Sequence, residues 1–446
     1  VAVTGPDAVT GGGGPEGWQP TRALRRVVGL VCLLLILAVA FGRPDLMVLA
    51  LPLLTGTLWA LRRRPETVAE VSVSASRSQV GEGERFDVTV SVTNPGQVRY
   101  EPVSIDARTD GWLVTPDESR PIVTSLPGER AVDVAVRLRA GRWGRHRFGP
   151  VDIMVAACDG VLVNRPQPPG PLRLRVHPVN EHFEADQAMP RAAALAGTHR
   201  SRRPGEGGEL VGVRRFVPGD RLRRIDWRVS LRTGELHVAA TLSDRDAEVV
   251  LLLDTLHEAG VSGGIDGAAS ALDVTVRGAA SVAEHYLHRG DRVSLLEFGP
   301  RVRQLRAAGG RLHYQVVREW LLDTRVVPGV LEPETWLARP HRLPPNALIV
   351  AFTPLLDERS AELLARMAWA GRFLIAVDTL PPHARPKLGG VWQEAATRLW
   401  LLERQNTIDE LRQHGVPVVT WRGSRSLDEV LRDVSRMALA SRPVPR

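Results

Sequence analysis

The chain predicts a multidomain protein: an N-terminal helical hairpin of transmembrane character, an all-β sandwich, then a doubly wound α/β domain. Three observations carry this. Two uncharged apolar runs, 27–41 and 46–61, lie close together near the start; apolar and polar residues alternate with period two from Thr67 to about Pro178; and apolar strand runs alternate with amphipathic helices from Ala247 onward. The 446 residues suit about three domains at roughly 150 residues each. With 43% apolar and 24% charged residues, the composition excludes a disordered or collagen-like chain. Cys32 and Cys158 are too few for a disulfide framework or a thiolate zinc site.

Residues 1–22, with four glycines at 11–14, read as a disordered tail, and 23–65 as the membrane hairpin. Each run falls short of the roughly 20 residues that a ~30 Å hydrocarbon core requires, but Leu24 and the flanking arginine stems can extend it. Pro52 is tolerated in a membrane helix, and nothing polar marks a solvent face. Arg22, Arg25 and Arg26 precede the first run, Arg62, Arg63 and Arg64 follow the second, and the connector Gly42-Arg43-Pro44-Asp45 is charge-balanced. The positive-inside rule then expects a two-pass protein of the cell membrane, with its N-terminus and large C-terminal region cytoplasmic. A rival reading takes 25–40 as a signal peptide cleaved near Ala38-Val39-Ala40; the second run and its arginine stop favour the hairpin.

Between 66 and 180, Val-Ser-Val-Ser-Ala at 71–75, Phe-Asp-Val-Thr-Val-Ser-Val at 86–92 and Val-Asp-Val-Ala-Val-Arg-Leu at 132–138 alternate as half-buried strands do. Gly81-Glu82-Gly83, Asn94-Pro95-Gly96 and Pro127-Gly128 supply turns. Short strands over this length suggest an immunoglobulin-like antiparallel sandwich. It has no metal or catalytic spacing of His, Cys or carboxylates and reads as a spacer or docking module, with 166–171 as its exit linker.

The formal charge of +8 is unevenly placed: +4 over 1–64, +5 over 200–245 and −1 over the remainder. Lys387 is the single lysine among 58 basic residues. This actinobacterial-like usage points to a GC-rich bacterial genome and weakens arguments from the choice of arginine. Region 181–245 is a linker followed by an arginine-rich stretch. In it, Pro218-Gly219-Asp220 forms a turn before a helix start, with Asp220 expected to cap the first turn and Ile225 to face inward.

The matching residues Gly208, Glu209, Arg214, Phe216, Pro218, Gly219, Asp220, Arg224, Ile225, Asp226, Trp227, Arg232 and Thr233 carry a resemblance to the bacterial family known as domain of unknown function 58. Pro-Gly-Asp followed by Ile-Asp-Trp at fixed spacing is the specific part. Arg215 and Val217 replace the usual acid and aromatic, and Val229-Ser230-Leu231 replaces a small-residue run. The stretch Gly-Arg-Trp-Gly-Arg-His-Arg-Phe-Gly-Pro at 141–150 is similar to the one that ends the family's strand-rich region. The resemblance implies a membrane hairpin, a von Willebrand factor A-like domain, and partnership with AAA-type ATPases of the MoxR group and other von Willebrand-domain proteins.

Arg221, Arg223, Arg224 and Arg228 could neutralise phosphates, as in an anionic-lipid or nucleic-acid binder. Asp220 and Asp226 lie within the cluster and Trp227 is its single interleaved aromatic, so no nucleic-acid partner is expected. Charge-assisted pairing among Asp220, Arg224, Asp226 and Arg232, or docking of a protein partner, accounts better for the stretch.

Over 246–440, strands are expected at 249–254, 292–298, 347–353, 373–378 and 416–421, with helices at 273–288, 313–322, 358–370 and 406–414. A parallel sheet of this kind binds ligands at the carboxyl ends of its strands, where Asp254, Thr353 and Asp378 would sit. The order resembles a von Willebrand factor A domain, whose adhesion-type metal site reads Asp-x-Ser-x-Ser. Asp254 matches, but Leu256 and Glu258 replace both serines. Leucine offers no oxygen to Mg²⁺, so no metal or cofactor is expected; Thr353, Asp357 and Glu258 are the residues placed to rebuild a site. His257, His285, His288 and His313 lack zinc spacing, and no phosphate loop or nucleophile elbow occurs. The expectation is a non-enzymatic, membrane-anchored interaction or scaffold protein; a metal-dependent hydrolase built on Asp254 is the alternative.

Overall fold

The computed structural model describes residues 9–11, 17–115, 121–167, 169–179, 204–217, 225–242, 248–329, 333–338, 343–344, 347–386 and 392–421. Contacts divide the chain into two units, Val1–His177 and Pro178–Arg446.

In the first unit, strands β1 (Val9–Gly11) and β2 (Gln19–Pro20) precede the helices α1 (Arg22–Phe41) and α2 (Asp45–Leu61). Thr21 caps α1, its Oγ1 accepting the Leu24 N–H at 3.3 Å, and Gly42 ends it at φ 62°, a left-handed conformation that suits glycine. In α2, Thr55 and Thr57 donate to the carbonyls of Leu51 and Leu53 at 2.8 and 2.6 Å, so their hydroxyls are satisfied within the helix. Helix α1 is long and apolar enough to cross a membrane; α2, at 17 residues, is shorter. The helices pack together with Val31, Ala38 and Ala50 buried, while Ile36, Val39 and Trp59 point outward. Small residues where helices meet and large apolar residues facing out are what a lipid environment favours.

The rest of this unit is strand: β3 (Glu70–Ala75), β4 (Gln79–Gly81), β5 (Arg85–Thr93), β6 (Tyr100–Thr109), β7 (Leu113–Val114), β8 (Ile122–Leu126), β9 (Ala131–Ala140), β10 (Gly144–Ala157), β11 (Leu162–Asn164) and β12 (Leu172–His177). One sheet runs β1-β3-β5-β9-β7; the other runs β2-β11-β10-β12-β4, with β6 on β10 and β8 on β6. Pairing is antiparallel except between β12 and β4. Period-two alternation does what it predicts: Val88, Val90 and Val92 of the first sheet and Ile105, Ile153 and Leu174 of the second share one core.

Part of the expected disordered tail is ordered. β1 pairs with β3 and β2 with β11, and Trp18 donates to the Thr67 carbonyl at 2.8 Å with its ring 5.2 Å from Tyr100. Two- and three-residue strands are too short to show a period; their partners lie far along the chain. At the 141–150 motif, Arg142 lies over Trp112 and Trp143 at 5.1 and 5.4 Å, and buried His146 joins Asp110 at 3.0 Å and the Arg142 carbonyl at 2.8 Å. The motif is a rivet between β10 and the turn before β7.

In the second unit, β13 (Pro204–Arg215) pairs antiparallel with β14 (His237–Leu242), and the short helix α3 (Trp227–Thr233) lies between them in sequence. There follow β15 (Glu248–Asp254), α4 (Ala271–His288), β16 (Arg292–Phe298), β17 (Gln304–Ala308), α5 (Arg311–Leu321), α6 (Pro333–Ala338), β18 (Leu348–Thr353), α7 (Glu358–Trp369), β19 (Phe373–Asp378), α8 (Gln393–Gln413) and β20 (Val418–Thr420). The sheet order is β17-β16-β15-β18-β19-β20, parallel throughout except for β17 at the edge. Val250 and Leu252 face a core shared with α7 and α8, whereas α4 packs on β15, β16 and β18 from the opposite face. Helices on both faces make the sheet doubly wound, and the strand order reverses between β15 and β18, the switch point where such sheets open a crevice. Helix α8 extends well upstream of the expected 406–414, because exposed Leu399, Leu401 and Leu402 blur its periodicity.

Candidate functional site

Asp254 closes β15 and Thr353 closes β18, side by side at the switch point. Helix α7 starts just beyond, with Asp357 as its N-cap and Ser360 in its first turn. Asp254 Oδ2 accepts from Thr353 Oγ1 at 2.7 Å and from Ser360 Oγ at 2.6 Å, while Oδ1 accepts the Leu256 N–H at 3.0 Å. Thr353 Oγ1 in turn accepts the Leu355 N–H at 3.0 Å. Burial pushes the Asp254 carboxyl above the usual carboxylate range; the bonds from Ser360, Thr353 and Leu256 pull it back only in part, and the nearby Asp357 charge adds to the rise.

Asp357 sits in the opposite electrostatic setting. Burial raises it, but Arg359 donates to it from its backbone and its guanidinium, and His257 Nε2 lies 2.7 Å from its Oδ2. These outweigh burial and hold it at about 2. Asp378, at the end of β19, pairs with Arg404 of α8 and accepts the Leu380 N–H at 2.9 Å.

The donors around Asp254 do not fit Mg²⁺. Leu256, where the adhesion motif has its first serine, is buried in the apolar core with Leu252 and Phe298. Both Asp254 oxygens are taken by protein donors, and the space left beside Thr353 and Ser360 is about 10 Å³, room for one water at most. An octahedral ion with waters needs far more. Among the described residues, no three His, Cys, Asp or Glu side chains group as metal ligands. Asp254 therefore works as a latch tying β15 to β18 and α7. Ser360 and Arg359 were missed in the sequence, although Asp-Glu-Arg-Ser at 357–360 reads as a capped helix start.

Of the signature residues, Pro218, Gly219, Asp220 and Arg224 lie outside the described residues. Gly208 and Glu209 fall on β13, with their side chains not described. Ile225 is buried and bridges to Val238, as the inward position predicts. Asp226 caps α3, its Oδ1 accepting the Arg228 and Val229 N–H groups at 3.1 Å each, and the cap expected at Asp220 lies outside the described residues. Asp226 forms no ion pair with Arg232 among the described residues, because its carboxylate is spent on the helix end. Ser230 seats the helix: its Oγ donates to the Asp226 carbonyl at 2.7 Å and accepts the His237 N–H at 2.8 Å. Arg214 donates to the Arg215 carbonyl at 3.1 Å, Arg215 pairs with Glu235 at 2.9 Å, and Thr233 donates to the Val229 carbonyl at 3.0 Å. Trp227 and Arg232 are exposed.

Uncharacterized proteins of Mycobacterium tuberculosis and Mycobacterium bovis are 28% identical to this chain over 200 residues, which is 42% of this chain and 60% of theirs. The match thus spans about 60% of the length of these relatives. Among solved structures, the cupredoxin domain of amoB from Nitrosocaldus yellowstonii is 11% identical, covering 28% of this chain and 97% of that one at a TM-score of 0.18. Trypsin-activated alpha-2-macroglobulin from Escherichia coli is 13% identical, covering 36% of this chain and 9% of that one at 0.20. Scores this low establish no shared fold. Residues 212–412, which run from the signature through most of the α/β sheet, match the family model described as protein of unknown function DUF58.

Proposed function

We propose that the chain is a membrane-anchored, non-enzymatic interaction protein whose two-pass hairpin holds both large units at the cytoplasmic face. One observation carries this reading: at the switch point, where a doubly wound sheet holds ligands, Asp254, Thr353 and Ser360 are buried and both Asp254 carboxylate oxygens are bonded to protein donors. The strand-rich unit is read as an immunoglobulin-like spacer and the α/β domain as von Willebrand factor A-like. An AAA-type ATPase of the MoxR group is the partner implied by the family resemblance. Crosslinking and pull-down of the solubilised full chain test this: recovery of such an ATPase supports it, and its absence with the signature intact removes that partner. Metal analysis and hydrolase assays of the wild type and Asp254→Ala decide against the enzyme alternative if neither metal nor turnover is found.

A further inference from the structure

Helix α3 is seated on one side by Ser230, buried against the start of β14, while Trp227, Arg228, Leu231 and Arg232 are exposed. Trp227 and Leu231 stand one helical turn apart and are 61% and 84% exposed, and Val217 and Leu236, on the segments flanking the helix, are also exposed. Large apolar side chains held out by an ordered helix cost hydration without helping the unit's core, a pattern that marks binding surfaces. Arg228 and Arg232 form a second row one turn apart, both exposed and with no carboxylate partner among the described residues. By contrast, the neighbouring acids are occupied: Asp226 caps the helix and Glu235 pairs with Arg215. The exposed face therefore presents tryptophan and leucine beside two guanidiniums that have no carboxylate partner among the described residues.

We infer that this ridge is a docking surface for a protein partner that offers an apolar pocket rimmed by Asp and Glu side chains. Trp227 and Leu231 fill the pocket, and Arg228 and Arg232 take the carboxylates as bidentate donors. Tryptophan and arginine are the residues most enriched at the energetic centre of interfaces. Charge complementarity selects an acidic partner. A protein suits the ridge better than a lipid surface, because seven helical residues extend only about 10 Å, a short lever for burial in a bilayer interface. The inference rests on the interaction reading of the chain and deepens it by naming the surface and its complement.

The test places a photocrosslinking p-benzoylphenylalanine at Leu231 in the full-length chain, within the membranes of its own cells, with a control probe at Leu399 on α8. The expected result is an adduct between position 231 and a peptide of another protein with Asp or Glu near the crosslink. Its yield falls by about tenfold or more in the Arg228→Glu/Arg232→Glu variant and by less in Arg228→Lys/Arg232→Lys, which keeps the charge but loses the bidentate fork. Unchanged circular dichroism of both variants excludes misfolding as the cause. Adducts to lipid or to the chain itself, a yield indifferent to charge reversal, or no adduct at 231 overturn the proposal. If position 231 is silent while the 399 probe or pull-down of the full chain captures a partner, the ridge assignment falls and the interaction reading stands. If nothing is captured by any route, both fall.

Discussion

Burying the Asp254 carboxylate removes water that Thr353, Ser360 and the Leu256 amide only partly replace, so its charged form is held at a cost. Asp254→Ala strands three donors and is expected to destabilise the α/β domain by about 2–4 kcal/mol, read by thermal unfolding of the full chain in detergent. Asp254→Asn, which keeps one acceptor oxygen, should lose less. The pH dependence has opposite signs at the two acids. A raised folded pKa contributes stability that is full below the unfolded value near 4 and is lost as pH rises through the folded value, so the deficit of Asp254→Asn relative to wild type should shrink as pH rises from about 4. Asp357 is depressed to about 2; its contribution is present above about 4 and is lost as pH falls toward about 2, a loss that Asp357→Asn should remove. Melting curves of wild type and variants that stay parallel across pH would contradict both assignments. The sequence made Asp254 visible through one motif position, but Ser360, 106 residues away, had no local mark of its role.

Elements follow the sequence most closely where their own period reveals them. Strands β5, β9, β15 and β19 appear within a residue or two of their expected bounds, because alternation or an unbroken apolar run is a local property. Helix α3 takes its cap from Asp226, whose carboxylate meets the free N–H groups of the first turn, while Asp220, the cap expected from the sequence, lies outside the described residues. Asp226→Ala should cost about 1 kcal/mol and speed hydrogen exchange at the Arg228 and Val229 amides, with β15 unaffected. Helix α4 carries a tighter constraint. A Cβ at Gly278 would stand 2.8 Å from the Phe352 ring, so Gly278→Ala trades a gain in helix propensity for a clash against the sheet. The clash should win, lowering stability by about 1–3 kcal/mol in the same unfolding measurement.

At the scale of the whole molecule, one helix near the N-terminus, α1, is long and apolar enough to cross a membrane. With α1 long enough to cross a bilayer and large apolar residues on its outer surface, the full chain should stay in the membrane pellet through alkaline carbonate extraction, whereas deletion of 22–61 should release it. Release of the intact chain would refute the anchor. The uneven basic charge then has two separate meanings: +4 flanks the apolar runs, and +5 surrounds the signature, where two arginines of α3 have no carboxylate partner among the described residues. The sequence by itself determined the order of hairpin, strand-rich region and α/β domain, since apolar run length and hydrophobic period are written along the chain. The tertiary structure decided that β15 adjoins β18, that Asp254 is sealed by hydroxyls from two later elements, and that part of the tail joins both sheets. Sheet order and side-chain meeting points depend on contacts between residues far apart in sequence, and no local period encodes those.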